Sequence, residues 1–158
     1  PDLPVVITQH MPAVFTRAFA DRLNGLLPWQ VAEAYDGAVI APGTAWVAPG
    51  GRHLTVVREG GLLRAVLQDT APVHYQRPAV DPLFSSVAAA VGAQACGVVL
   101  TGMGQDGAAG LLALREAGAL TLAQDEASSV VYGMPREAAR IGAVQESLPL
   151  DRLAHRIR

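Results

Sequence analysis

The sequence has 158 residues, 51% hydrophobic and 16% charged, which suits one globular domain with a sizeable core and excludes a disordered chain. A formal net charge of −2 leaves no electrostatic footprint for a nucleic-acid partner. No apolar run approaches the roughly 18–20 residues of a membrane span, so direct membrane insertion is not expected. All twelve basic residues are arginine, whose charge is fixed at every physiological pH. The lone cysteine, Cys96, excludes an internal disulfide; in the apolar run Ala95–Leu100 it reads as a small buried core residue. The opening Pro1-Asp2-Leu3-Pro4 has neither an initiator Met nor a signal-peptide pattern, and a cytoplasmic, reducing setting is expected.

Residues 4–9 are apolar and β-branched, the pattern of a strand buried on both faces. Val14, Phe15, Phe19, Leu23, Leu26 and Leu27 then mark one face of a helix over 13–27, stopped by Gly25 and Pro28. Short strands follow at 29–35, 44–48, 53–58 and 62–68, the last two joined by Glu59-Gly60-Gly61 as a β-hairpin. A polar, Pro-broken loop at 69–81 leads into a helix over 82–93, with Asp81 as its N-cap and Pro82 in its first turn. Next come a strand at 96–100, a Gly-rich turn at 101–107, a helix at 108–117 and a strand at 119–123. A helix at 134–141, a strand at 143–147 and a final helix with Asp151 near its start complete the chain. This alternation predicts a doubly wound, mostly parallel α/β sheet with helices on both faces and a hairpin insert, in a single domain over 1–158.

Ligands of such sheets bind beyond the C-terminal ends of the strands. The polar groups expected there are Gln9 and His10 after the first strand, the turn Thr101-Gly102-Met103-Gly104-Gln105-Asp106-Gly107 after the strand at 96–100, and Gln124-Asp125-Glu126 after the strand at 119–123. His10 and Asp106 could thus supply the base and orienting acid of a hydrolytic triad. His10 could equally be a strand-end histidine bonded to backbone, and Asp106 a plain helix N-cap. His53, His74 and His155 lie in the hairpin, the loop and the last helix. No histidine pair has ligand spacing, so no metal is expected. Gly102-x-Gly104-x-x-Gly107, with Asp125 about 20 residues on, also fits the dinucleotide fingerprint. Against it, the Asp106 carboxylate stands inside the loop, where it would repel a pyrophosphate.

Several segments together resemble the chemotaxis protein-glutamate methylesterases of the CheB type. They are Gln9-His10-Met11-Pro12 with Phe15-Thr16, Ala48-Pro49-Gly50-Gly51-Arg52-His53, Arg77-Pro78-Ala79-Val80-Asp81-Pro82-Leu83-Phe84, and Leu100-Thr101-Gly102-Met103-Gly104-Gln105-Asp106-Gly107-Ala108-Ala109-Gly110. Ala123-Gln124-Asp125-Glu126-Ala127-Ser128 and Gly133-Met134-Pro135-Arg136-Glu137-Ala138 continue the match in the same order, from about residue 5 to about residue 147. The resemblance implies His10 as general base, Asp106 as its orienting acid, and the Met103 backbone N–H as an oxyanion-hole donor. It implies hydrolysis of glutamyl γ-methyl esters on the cytoplasmic region of chemoreceptors, with deamidation of certain glutamines, and neither metal nor organic cofactor.

The family's serine stands in a G-x-S-[TA]-G-G turn upstream of the residue that matches His10. No G-x-S-x-G occurs in the 158 residues. Ser85 and Ser86 fall on a helix, and Ser128 and Ser129 match positions that are not nucleophilic. The chain is therefore expected to be N-terminally incomplete, lacking the first strand, the serine turn and an upstream receiver domain. It is expected to be inactive alone and, with interior strand edges uncovered, poorly stable. Two other functions stay open: a dinucleotide-binding half-domain, and a non-catalytic module that binds a receptor or signalling partner.

Overall fold

The computed structural model describes residues 3–157. The chain forms two compact units, Pro1–Leu83 and Phe84–Arg158. Each has a parallel sheet of its own flanked by helices, the α/β class that the strand–helix alternation predicts.

In the first unit β1 (Val5–Ile7) leads through residues 8–12 into α1 (Ala13–Leu26), which returns the chain to β2 (Gln30–Glu33) and then β3 (Thr44–Val47). The sheet order is β1-β3-β2, all parallel, so β3 is the central strand. Its core is Ala20, Val31, Ala45 and Val47, with Val5, Ile7, Phe19, Leu23 and Trp29 packed around them. The predicted apolar face of α1 holds only in part. Phe19 and Leu23 pack inward, but Val14, Phe15 and Leu26 are exposed, and the buried positions are Thr16 and Ala20. Thr16 and Ala20 lie one turn apart, and being small they let the helix sit close against the sheet.

β4 (His53–Glu59) and β5 (Leu62–Gln68) form the expected hairpin, in register from His53↔Gln68 to Glu59↔Leu62. Gly60 and Gly61 both have positive φ, 58° and 79°, the backbone of a two-residue hairpin turn that matches strand twist. His53, fully buried, ties the hairpin to the loop at 69–79. Its Nδ1 accepts the Ala79 N–H at 3.1 Å, which leaves Nε2 to donate to the Ala71 carbonyl at 2.9 Å. The imidazole is therefore neutral, with its proton on Nε2.

α2 (Val80–Ala90) spans the division between the units. It starts two residues earlier than expected, so Asp81 lies inside the first turn and is not the N-cap. The Asp81 carboxylate is bonded to His74 Nε2 at 2.9 Å. The helix also ends early, at Ala90; a 3-10 turn, Gly92–Gln94, follows, opened by Gly92 at φ 65°.

The second unit continues with β6 (Cys96–Val99), α3 (Ala108–Glu116), β7 (Leu120–Gln124), α4 (Met134–Arg140), β8 (Glu146–Leu148) and α5 (Leu150–Arg156). The order β6-β7-β8 is parallel throughout, and the central strand β7 is buried from Thr121 to Gln124. Val99, Leu111, Leu114, Leu122, Ala123, Ala138 and Leu153 are buried apolar residues of this unit. Two expectations need correction. Cys96 is exposed, because strand alternation turns Gly97 and Val99 inward and Cys96 outward. Partial burial still pushes its thiol pKa up, against the lowering pull of Arg156. The last strand begins at Glu146 instead of 143, because the Gly142 and Ala143 N–H groups close the end of α4 by donating to Ala139 and Ala138 carbonyls.

Arg156 grips Glu146 through Nε and Nη2, both on Oε1, at 2.9 and 2.7 Å, pinning α5 to β8. These bonds hold the Glu146 carboxyl below its ordinary pKa. Its contribution to stability is present above the unfolded-state pKa and is lost as pH falls through the lowered folded value. Arg156→Ala should move the Glu146 carbon resonance titration back up, and the acid limb of the stability profile with it. Leu111→Ala, which empties a fully buried position, should cost about 2–5 kcal/mol in urea unfolding with an unchanged m-value.

Candidate active site

Both sheets send their functional candidates off the C-terminal ends of their strands. In the first unit β1 delivers residues 8–12, and His10 stands half-buried in that segment, three residues past the strand. The segment is fixed by backbone contact. The loop after β3 passes so close to the start of α1 that a Cβ on Gly50 would fall 2.5 Å from Ala13 Cα and from the Pro12 carbonyl carbon. Thr16, fully buried one turn into α1, accepts the Gly50 N–H at 3.0 Å. Its hydroxyl lies 2.6 Å from Glu33 Oε1 and 2.9 Å from the Ala13 carbonyl. One hydroxyl thus joins α1, the end of β2 and the loop after β3 behind the segment that carries His10.

In the second unit the turn at 101–107 leaves β6 and runs into α3. Beyond Val99 the β6–β7 ladder is continued by a side chain. The Gln124 amide oxygen accepts the Thr101 N–H at 2.8 Å, and its nitrogen donates to the Ser128 carbonyl at 2.7 Å. Met103 and Asp106 share this turn. Met103 is 80% exposed and Asp106 is 2% exposed. The cap position of α3 falls on Gly107, at φ 92°, with no side-chain cap bond, so Asp106 stands outside the helix. Beside the turn lies an open groove of about 590 Å³ bordered by Met103, Gln105, Val131, Tyr132, Arg136 and Glu137.

The rival groups around the turn have other tasks. Asp125, the candidate ribose ligand of the dinucleotide reading, accepts both the N–H and the hydroxyl of Ser128, at 3.0 and 2.6 Å. Ser129 donates its hydroxyl to the Asp125 carbonyl at 2.6 Å. Both hydroxyls are thus spent closing the loop after β7, Ser128 on the Asp125 carboxylate and Ser129 on the Asp125 carbonyl. The first glycine of the G-x-G-x-x-G spacing has a packing explanation: a Cβ on Gly102 would fall 2.5 Å from Met134 Sδ.

Thr16, Glu33 and Gly50 were not singled out by sequence reasoning, and Thr101 and Gln124 were placed only as polar groups at strand ends, without their bracing roles. The partners that tie them to other elements lie 17 to 34 residues away along the chain, and no local periodicity joins such positions. The one trace in the sequence was indirect, since most of them fall in the segments that carry the family resemblance.

Residues 1–157 match the family model described as CheB methylesterase. The chain is 56% identical over 153 residues to a protein-glutamate methylesterase/protein-glutamine glutaminase 2 of Xanthomonas oryzae pv. oryzae, covering 97% of this chain and 43% of that protein. It is 54% identical over 154 residues to a protein-glutamate methylesterase/protein-glutamine glutaminase 1 of Hahella chejuensis, with the same coverage. The chain thus spans less than half the length of these curated relatives. Among solved structures it is similar to the crystal structure of the Thermotoga maritima CheB methylesterase catalytic domain. The TM-score there is 0.95 at 32% identity, covering 99% of this chain and 84% of that one. On a family match running nearly end to end, the chain belongs to the CheB methylesterase family.

Proposed function

We propose that this chain is the larger part of a catalytic domain that hydrolyses glutamyl γ-methyl esters on the cytoplasmic region of chemoreceptors, and deamidates glutamines at such sites. The observation that carries the reading is membership of the CheB methylesterase family along residues 1–157, at over half identity to relatives named for both activities. The placement of His10, Met103 and Asp106 on loops past the C-terminal ends of parallel strands supports it. The nucleophilic serine is contributed by sequence beyond the 158 residues, as is a receiver domain that gates the site. The working compartment is the cytoplasm. Among the described residues no helix is long and apolar enough to cross a membrane.

His10 takes the serine proton as the hydroxyl oxygen attacks the γ-carbonyl carbon. The Met103 N–H donates a hydrogen bond to the carbonyl oxygen as negative charge develops on it. The tetrahedral intermediate collapses with cleavage of the bond to methoxide, and His10 returns the proton so that methanol leaves. Water, deprotonated by His10, then attacks the acyl-serine. The carbonyl re-forms, the serine recovers its proton, and a glutamate side chain is released. Asp106 fixes the imidazole tautomer and stabilises the imidazolium between these transfers. Its burial suits that task, since a carboxylate shielded from water holds a partner in one orientation.

The reading is tested by methanol release from methylated receptor, using the chain extended upstream through its serine turn. Asp106→Asn should lower the rate by about 10⁴-fold, and His10→Ala by as much or more. Undiminished release from His10→Ala would sink the triad. Receptor binding with no release from the unmutated extended chain would favour a binding module.

A further inference from the structure

The Met103 N–H belongs to the peptide that joins Gly102 to Met103, and a trans peptide points its carbonyl and its N–H in opposite directions. Whatever holds the Gly102 carbonyl therefore aims the Met103 N–H. That carbonyl accepts two bonds at once, from the Gly133 N–H at 3.1 Å and the Met134 N–H at 2.8 Å. The preceding N–H of Gly102 donates to the Val131 carbonyl at 3.0 Å, so Gly102 pairs with Tyr132 as one rung of a parallel ladder. Thr101 doubles the attachment. Its hydroxyl accepts the Val131 N–H at 2.8 Å and donates to the Val131 carbonyl at 3.1 Å. Among the described residues the Met103 N–H itself donates to no protein group.

We infer that segment 131–134 is the backing plate of the oxyanion hole, with Gly133 and Thr101 as positioning residues that aim the Met103 N–H. This rests on the methylesterase reading above, in which that N–H meets the developing oxyanion. Gly133 matters for what it lacks. A Cβ there would fall 2.7 Å from the Gly102 carbonyl oxygen and 3.2 Å from Met103 Cα, pushing apart the two strips of backbone that the bonds hold together. Two donors on one carbonyl also polarise the peptide, which makes its N–H a better donor to a forming oxyanion. Neither residue touches substrate in this account. Both act through the orientation of one peptide plane.

The test uses the full-length protein carrying its own serine, with methanol release from methylated receptor as the assay. Thr101→Val keeps the shape of the side chain and removes both bonds to Val131; Thr101→Ser keeps the hydroxyl. Removal of an oxyanion donor costs roughly 10²–10³-fold in kcat, so misdirecting one should cost about 10–100-fold. The expected result is a loss of that size in kcat for Thr101→Val and Gly133→Ala. KM should stay within about twofold, the pH dependence of kcat should keep its shape because no titrating group has changed, and Thr101→Ser should restore most of the rate. If Gly133→Ala does not fold, Thr101→Val decides alone, with its melting temperature checked against the parent. A folded Thr101→Val enzyme with full kcat overturns the inference, as does a loss confined to KM. In either case an inactive His10→Ala control leaves the methylesterase reading standing. An active His10→Ala control removes that reading and the inference together.

Discussion

A parallel strand pair cannot be closed by a tight turn. The chain must leave one end of the sheet, cross over through a longer connection, usually a helix, and re-enter at the other end. That constraint shapes both units. In the first, α1 makes the crossover from β1 to β2; in the second, α3 and α4 return the chain to β7 and β8. Each strand must therefore release its chain at the same edge of its sheet, and every polar group on those exits gathers there. His10 and the turn at 101–107 stand where they do because the ladders are parallel, before any chemistry is considered.

What turns an exit into a site is a second requirement, that its backbone be held where regular hydrogen bonding stops. Side chains meet it by standing in for strands. The Gln124 amide extends the β6–β7 ladder by one rung, and the Thr101 hydroxyl offers Val131 both a donor and an acceptor, as a paired strand residue would. In the first unit the Thr16 hydroxyl does the corresponding work for Gly50 and Glu33. Each of these polar groups is satisfied, which is the condition for placing them close to a core.

The sequence made the architecture readable wherever a short-range rule was in force. Gly60-Gly61 between two alternating runs can hardly be other than a hairpin, and the strand exits at His10 and Asp106 followed from the strand–helix rhythm. It misled where long-range packing decided. The helical face drawn through Val14, Phe15 and Leu26 ignored that Thr16 and Ala20 let the helix lie close to the sheet on a different side. Cys96 read as core because its neighbours are apolar, yet strand alternation sends it outward. Asp81 looked like a cap because it precedes a proline, but the helix takes in two more residues, Val80 and Asp81, at its start. The braces behind the site were not readable by pattern at all, since each joins residues on separate elements.

The Met103 side chain is mostly exposed, while the backbone around it is pinned from behind. In the oxyanion role proposed for it, the functional group at 103 is main chain, shared by all residue types save proline, so substitution there would leave its chemistry in place. Evolutionary drift should be tolerated at the position that makes the contact and resisted at positions that never meet the substrate. The residue nearest the chemistry would then be among the poorer markers of it when distant relatives are compared.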